Sequence, residues 1–144
     1  MQETPIQPRE FPSRAGERPR CILVVDDDDG VRRFVDRVLR EAGYTTMAAA
    51  DGPGALDLMT GGRAFDLLVT DVMLPGMHGG ELARCMRELD PNLEVLYLTG
   101  YSDRLFKENT IWEGEVFLDK PCTVNRLLDA VALLLDRRLR PPAA

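Results

Sequence analysis

Short β-branched or apolar runs alternate along this chain with longer stretches of helical periodicity, and that alternation restricts the fold more than any other feature. The runs cover residues 21–25, 44–48, 65–70, 93–99 and 115–118. After the first comes a clear amphipathic helix. Val31, Phe34, Val35, Val38 and Leu39 recur at i, i+3, i+4, i+7 and i+8, Arg32, Arg33, Asp36, Arg37 and Arg40 take the other face, and Gly43 supplies a stop. The last helix repeats the pattern with Val124, Leu127, Leu128, Val131, Leu134 and Leu135 behind a Thr123 cap. Weaker helical patterns lie near 53–60, 80–89 and 103–111, the third short and poorly periodic.

Strict alternation of strand and helix, with helices long enough to cross over, predicts a parallel sheet covered on both faces and joined by right-handed connections. Five strands in one small α/β domain favour a flavodoxin-like (βα)5 fold with strand order 2-1-3-4-5, although half of a Rossmann-type domain has similar local patterns. Either topology places ligands beyond the carboxyl ends of the strands.

Composition trims the remaining choices. The 144 residues carry a net charge of −6, but residues 1–20 hold +1 and residues 137–144 hold +3, so the body from 21 to 136 holds −10. A body that acidic is a poor fit to a phosphate backbone, which is bound by clustered Lys and Arg. No apolar run approaches a membrane span and no secretory h-region is visible, so a cytoplasmic protein is expected. Cys21, Cys85 and Cys122 form no CxxC pair and number three, which suits free thiols in a reducing compartment; with one histidine besides, a zinc site is disfavoured. Six of the ten prolines fall in residues 1–20 and 140–144. Those ends read as disordered tails around a single domain at 21–139.

The strand ends carry the chemistry. Strand 1 runs into Asp26-Asp27-Asp28-Asp29-Gly30, and strand 3 runs into Asp71. In the 2-1-3-4-5 order these strands are neighbours about 4.8 Å apart, so Asp26 or Asp27 would meet Asp71 on one rim. Carboxylates so close repel unless a cation joins them, and hard oxygen ligands suit Mg²⁺, with Mn²⁺ as a substitute. The loop offers no glycine-rich phosphate cradle, and no EF-hand register fits it. Asp28 and Asp29 are better suited to capping and charging the first helix. Strand 4 ends in Thr99-Gly100, a hydroxyl beside a residue with no side chain, and strand 5 ends in Asp119-Lys120-Pro121, which offers an ammonium. An aspartate nucleophile, a divalent cation, a hydroxyl and a lysine can together cradle a phosphoryl group in transfer.

On these residues, and on the run Asp71-Val72-Met73-Leu74-Pro75-Gly76-Met77-His78-Gly79, the chain resembles the receiver domains of two-component response regulators. Around Leu96–Asp103 it is most similar to receivers of hybrid sensor histidine kinases. The resemblance implies that Asp71 accepts a phosphoryl group from a phosphohistidine. It implies further that Asp26, Asp27, Asp71 and the backbone carbonyl of Met73 hold the metal, that Thr99, Gly100 and Lys120 bind the phosphoryl group, and that the Phe117 rotamer follows Thr99. A cis bond before Pro121 is implied as well. The partners would be a histidine kinase or phosphotransfer domain and a downstream protein, with no direct nucleic-acid or membrane contact. The molecule would be a monomer or a phosphorylation-dependent dimer. With no output domain after Leu139, it would be a stand-alone receiver or a piece of a hybrid kinase.

Departures from the family pattern are His78 where an acidic residue is usual, Cys122 after Lys-Pro, and the weak helix at 102–114. Trp112 and Tyr101 read as local packing, as do Cys85 and Cys122. Two rivals stand beside the receiver: a haloacid-dehalogenase-type phosphatase, from Asp26-x-Asp28 after a strand, and a receiver-like docking module that is never phosphorylated.

Overall fold

The computed structural model describes residues 19–100 and 115–139. The helical pattern at 103–111, Tyr101, Trp112 and both tails, apart from Pro19 and Arg20, lie outside the described residues. Five parallel strands form the main sheet: β1 (Cys21–Val25), β2 (Thr45–Ala49), β3 (Leu67–Asp71), β6 (Glu94–Thr99) and β7 (Val116–Asp119), in spatial order β2-β1-β3-β6-β7. Counting parallel strands only, this is the expected 2-1-3-4-5. Four helices are described: α1 (Asp29–Glu41), α2 (Gly52–Thr60), α3 (Gly79–Leu89) and α4 (Val124–Leu139).

Local chemistry sets the helix ends. Asp28 caps α1, its carboxylate accepting from the Val31 N–H at 3.1 Å, while Asp29 adds negative charge to the first turn. Asp51 accepts from the Gly54 N–H at 2.8 Å at the start of α2, and Thr123 accepts from the Arg126 N–H at 3.1 Å at the start of α4. Beyond α1, Gly43 takes φ of 103°, a conformation that side-chain-bearing residues rarely adopt.

The period-two alternation of the central strands sends side chains to two cores. Ile22, Val24, Leu67, Val69, Leu96 and Leu98 pack against α1 and α4, whereas Leu23, Val25, Leu68, Val95 and Tyr97 pack against α2 and α3. Because both faces are covered, β1 and β3 read in the sequence as unbroken apolar runs, and β3 is buried along its whole length.

The structure shifts several expected boundaries and adds one element. β2 covers 45–49 and not 44–48, β3 covers 67–71 and not 65–70, and β6 starts at Glu94 and not at Leu93. The edge strand β7 covers 116–119 and not 115–118, because its ladder with β6 pairs Leu96 with Val116 and closes on Thr99 with Asp119. Directly after β3, β4 (Met73–Leu74) and β5 (Met77–His78) form a small antiparallel hairpin. Pro75 and Gly76 make its turn, and Gly76 at φ of 75° fits the third position of a type II turn.

Candidate functional site at the carboxyl rim of the sheet

The parallel register brings the strand ends together. Val25 lies level with Thr70, so the next residues, Asp26 and Asp71, leave the ladder side by side. Asp71 lies level with Leu98, which places Thr99 one residue further along the rim, and the Lys120 N–H donates to the Thr99 carbonyl at 2.8 Å. One carboxylate oxygen from each of Asp26, Asp27 and Asp71 lies within 4.8 Å of the others.

Asp26 is held on every side. It is fully buried, and its N–H donates to the Ala49 carbonyl. Its carbonyl accepts from Arg32 Nη1 at 2.8 Å, and its Oδ1 accepts from the Asp28 N–H at 2.9 Å. That leaves Oδ2 buried with no aligned hydrogen-bond donor among the described residues; its counter-charge is the Lys120 ammonium at 3.0 Å. Lys120 Nζ also lies 3.2 Å from Asp71 Oδ2. Burial draws the Lys120 ammonium down, but bonding and charge from Asp26 and Asp71 outweigh it and leave the group above its ordinary 10.5. Lys120 therefore stays charged at neutral pH, one cation among three carboxylates.

The donor set passes a test for a hard divalent cation. It is all oxygen, it carries excess negative charge, and it contains a buried carboxylate oxygen without an aligned donor. Asp27 is exposed, so the cluster opens to water on one side. These three carboxylates are positioned to chelate Mg²⁺, which keeps several waters when it binds protein.

The neighbouring residues differ in how they meet the cluster. Met73, in the hairpin, donates its N–H to Asp71 Oδ1 at 3.4 Å, a long bond. Gly79, at the start of α3, passes so close to β3 that an added Cβ would strike the Asp71 carbonyl. Thr99 is buried, and its hydroxyl donates to Asp119 Oδ1 at 2.8 Å. Phe117 is half-buried and stacks on Tyr97, with ring centroids 5.1 Å apart. The Lys120–Pro121 peptide bond is cis. Asp28 and Asp29 do not join the cluster: Asp28 spends its carboxylate on the cap, and Asp29 pairs with Arg32. His78 occupies the N-cap position of α3 without a side-chain capping bond. Burial pushes the Cys122 thiol up, the opposite of what a reactive thiolate needs.

Four participants are not evident in the sequence. Arg32 reads there as one charge on a solvated helix face, yet it bonds the Asp26 carbonyl. Asp119 reads only as the residue before Lys120 at the end of strand 5, yet it holds Thr99. Arg87 on α3 pairs with Glu115 at 3.3 Å beside Tyr97, a contact across 28 residues that no local pattern encodes. The hairpin after Asp71 had one signal, the Pro75-Gly76 dipeptide.

Comparison with known proteins agrees with this geometry. Residues 22–132 match the response regulator receiver domain model. The chain is 35% identical over 111 residues to sporulation initiation phosphotransferase F of Bacillus subtilis, covering 76% of this chain and 89% of that protein. It is 34% identical over 119 residues to the sensor kinase CckA of Brucella abortus, covering 81% of this chain but 13% of that much longer protein. Among solved structures, the signal receiver domain of an HD domain-containing protein from Pseudomonas fluorescens superposes with a TM-score of 0.77 at 29% identity, covering 88% of this chain and 93% of the other. With this fold and this carboxylate cluster, the chain belongs to the response-regulator receiver family.

Proposed function

We propose that Asp71 is the phosphoryl acceptor of this receiver and that Asp26, Asp27 and the Met73 carbonyl, with Asp71, hold its Mg²⁺. The observation that carries this reading is the convergence of Asp26, Asp71 and Lys120 at 3.0–3.2 Å on the rim where β1, β3 and β7 end. In the reaction a carboxylate oxygen of Asp71 forms a bond to phosphorus as the phosphorus–nitrogen bond to the donor's phosphohistidine breaks. The electron pair stays on the imidazole nitrogen, which takes up a proton. When bound, Mg²⁺ supplies positive charge against the three carboxylates and the phosphoryl oxygens. Lys120, already beside Asp71, adds an ammonium to the same charge. Thr99 donates its hydroxyl to a phosphoryl oxygen, Gly100 leaves that approach open, and Phe117 follows Thr99.

Phosphorylation adds about −1.5 to −2 charge at neutral pH. That charge shifts a two-state equilibrium at the β6–β7 edge toward a form that a downstream protein binds. The donor is a histidine kinase or phosphotransfer domain, in keeping with the sensor kinase and the phosphotransferase among the relatives. The working unit is residues 21–139, cytoplasmic, and either a stand-alone receiver or part of a hybrid kinase. Against the phosphatase rival, Asp28 Oδ1 accepts from the Val31 N–H as the cap of α1.

A phosphotransfer profile tests the reading. The chain is mixed with phosphorylated histidine kinases and phosphotransfer domains, and the radiolabel is followed with Mg²⁺ present and after chelation. Rapid, Mg²⁺-dependent transfer from at least one donor is expected. Transfer unaffected by chelation, or turnover of a generic phosphate monoester that is lost with Asp26→Asn, would contradict it.

A further inference from the structure

Thr99 and Asp119 are direct register partners at the last rung of the β6–β7 ladder, two rungs beyond Tyr97 and Phe117. Period-two alternation puts all four side chains on the face that packs toward α2 and α3. Two successive cross-strand contacts therefore lie there, an aromatic stack and a hydroxyl-to-carboxylate hydrogen bond of 2.8 Å. The hydroxyl has one proton to donate, and here it is donated to Asp119. Resting on the receiver reading above, we infer that Asp119 is a positioning residue that holds the Thr99 hydroxyl away from Asp71, so that a phosphoryl group on Asp71 must compete with the Asp119 carboxylate for that proton.

Three features make the competition close. A hydrogen bond to an ionised acceptor is stronger than one between neutral groups. Asp119 is exposed, so water can take over its solvation once Thr99 leaves, which limits the cost of release. Asp119 also directly precedes Lys120, so the strand end that holds Thr99 carries the ammonium that sits on Asp71. The bond keeps the phosphoryl-free form well defined without locking the switch. It also gives Phe117, two residues before Asp119 on the same face, a physical link to the Thr99 position.

The test uses beryllofluoride with Mg²⁺ as a phosphoryl mimic, its affinity measured by titration calorimetry on the full chain. Asp119→Ala is expected to bind about 5-fold more tightly than wild type, and Asp119→Asn, which keeps a neutral acceptor, about 2-fold more tightly. In a Thr99→Ala background, Asp119→Ala is expected to change nothing, because the hydroxyl it restrained is gone. Methyl NMR of Thr99 without metal or mimic gives a second readout: one χ1 rotamer in wild type and averaging in Asp119→Ala. Affinity in Asp119→Ala equal to or weaker than wild type overturns the inference. So does an equal gain in the Thr99→Ala background, which would reflect only the loss of a negative charge near an anion, and so does an unchanged Thr99 rotamer. Wild type failing to bind beryllofluoride at all would instead remove the receiver reading, and this inference with it.

Discussion

The two halves of the carboxyl rim are built differently. On the β1–β3 side, Asp26 is fully buried, its backbone N–H and carbonyl and its Oδ1 are all bonded, and β3 is buried throughout. On the β6–β7 side, β7 is a sheet edge whose residues are half-buried or exposed; there the Thr99 hydroxyl donates to Asp119 and Phe117 stacks on Tyr97. Asp26 and Asp71, the two buried carboxylates of the cluster, stand where packing overdetermines their positions. In the proposed switch, the groups that move lie on or beside this edge strand. Lys120 joins the halves, since it directly follows β7 but pairs with Asp26 and Asp71 on the β1–β3 side.

The contrast makes predictions of graded size. The largest concerns the β1–β3 side. Saturating Mg²⁺, at 100 times its dissociation constant, should stabilise the wild type by about 2.7 kcal/mol. Thermal melts of an Asp26→Asn, Asp27→Asn double variant should show almost none of this gain, and a full gain would mean that the metal sits elsewhere. Next comes the link. Lys120→Met leaves Asp26 and Asp71 without their shared cation, and denaturant melts of metal-free protein should register a loss of about 2 kcal/mol. Mg²⁺ should recover most of it.

The β6–β7 side should give smaller effects. Arg87→Ala frees Glu115 beside Tyr97 and should cost about 1 kcal/mol, because Arg87 is partly exposed. It should leave Mg²⁺ affinity unchanged. The smallest effect is a pH dependence. Burial first, then the charge of Glu115, push the Tyr97 phenol well above its ordinary 10.0, with Arg87 opposing. The native state thus keeps a proton that the unfolded chain loses, so this contribution is complete below pH about 10 and declines as pH rises beyond it. The alkaline slope of stability should be shallower in Tyr97→Phe.

The fold was legible because parallel strands buried on both faces are continuous apolar runs, and because each run ends in the residue that reaches the rim. Asp26, Asp71, Thr99 and Lys120 could be picked out for that reason. What escaped depends on register and on contacts distant in sequence. Asp119 is ordinary until the ladder pairs it with Thr99, and Arg87 is a helix-face cation until Glu115 arrives from the far edge. The hairpin at Met73–Leu74 and Met77–His78 is too short to show any period. The carboxyl ends of β2, β3 and β7 each lie one residue past the apolar run because pairing, not hydrophobicity, decides where a strand stops.

The most direct test is phosphoryl incorporation from acetyl phosphate with Mg²⁺, followed by intact-mass spectrometry of wild type and Asp71→Asn. One phosphoryl group per wild-type chain, and none on Asp71→Asn, is the expected result. Stoichiometric incorporation that persists in Asp71→Asn would contradict the assignment of Asp71 as the acceptor.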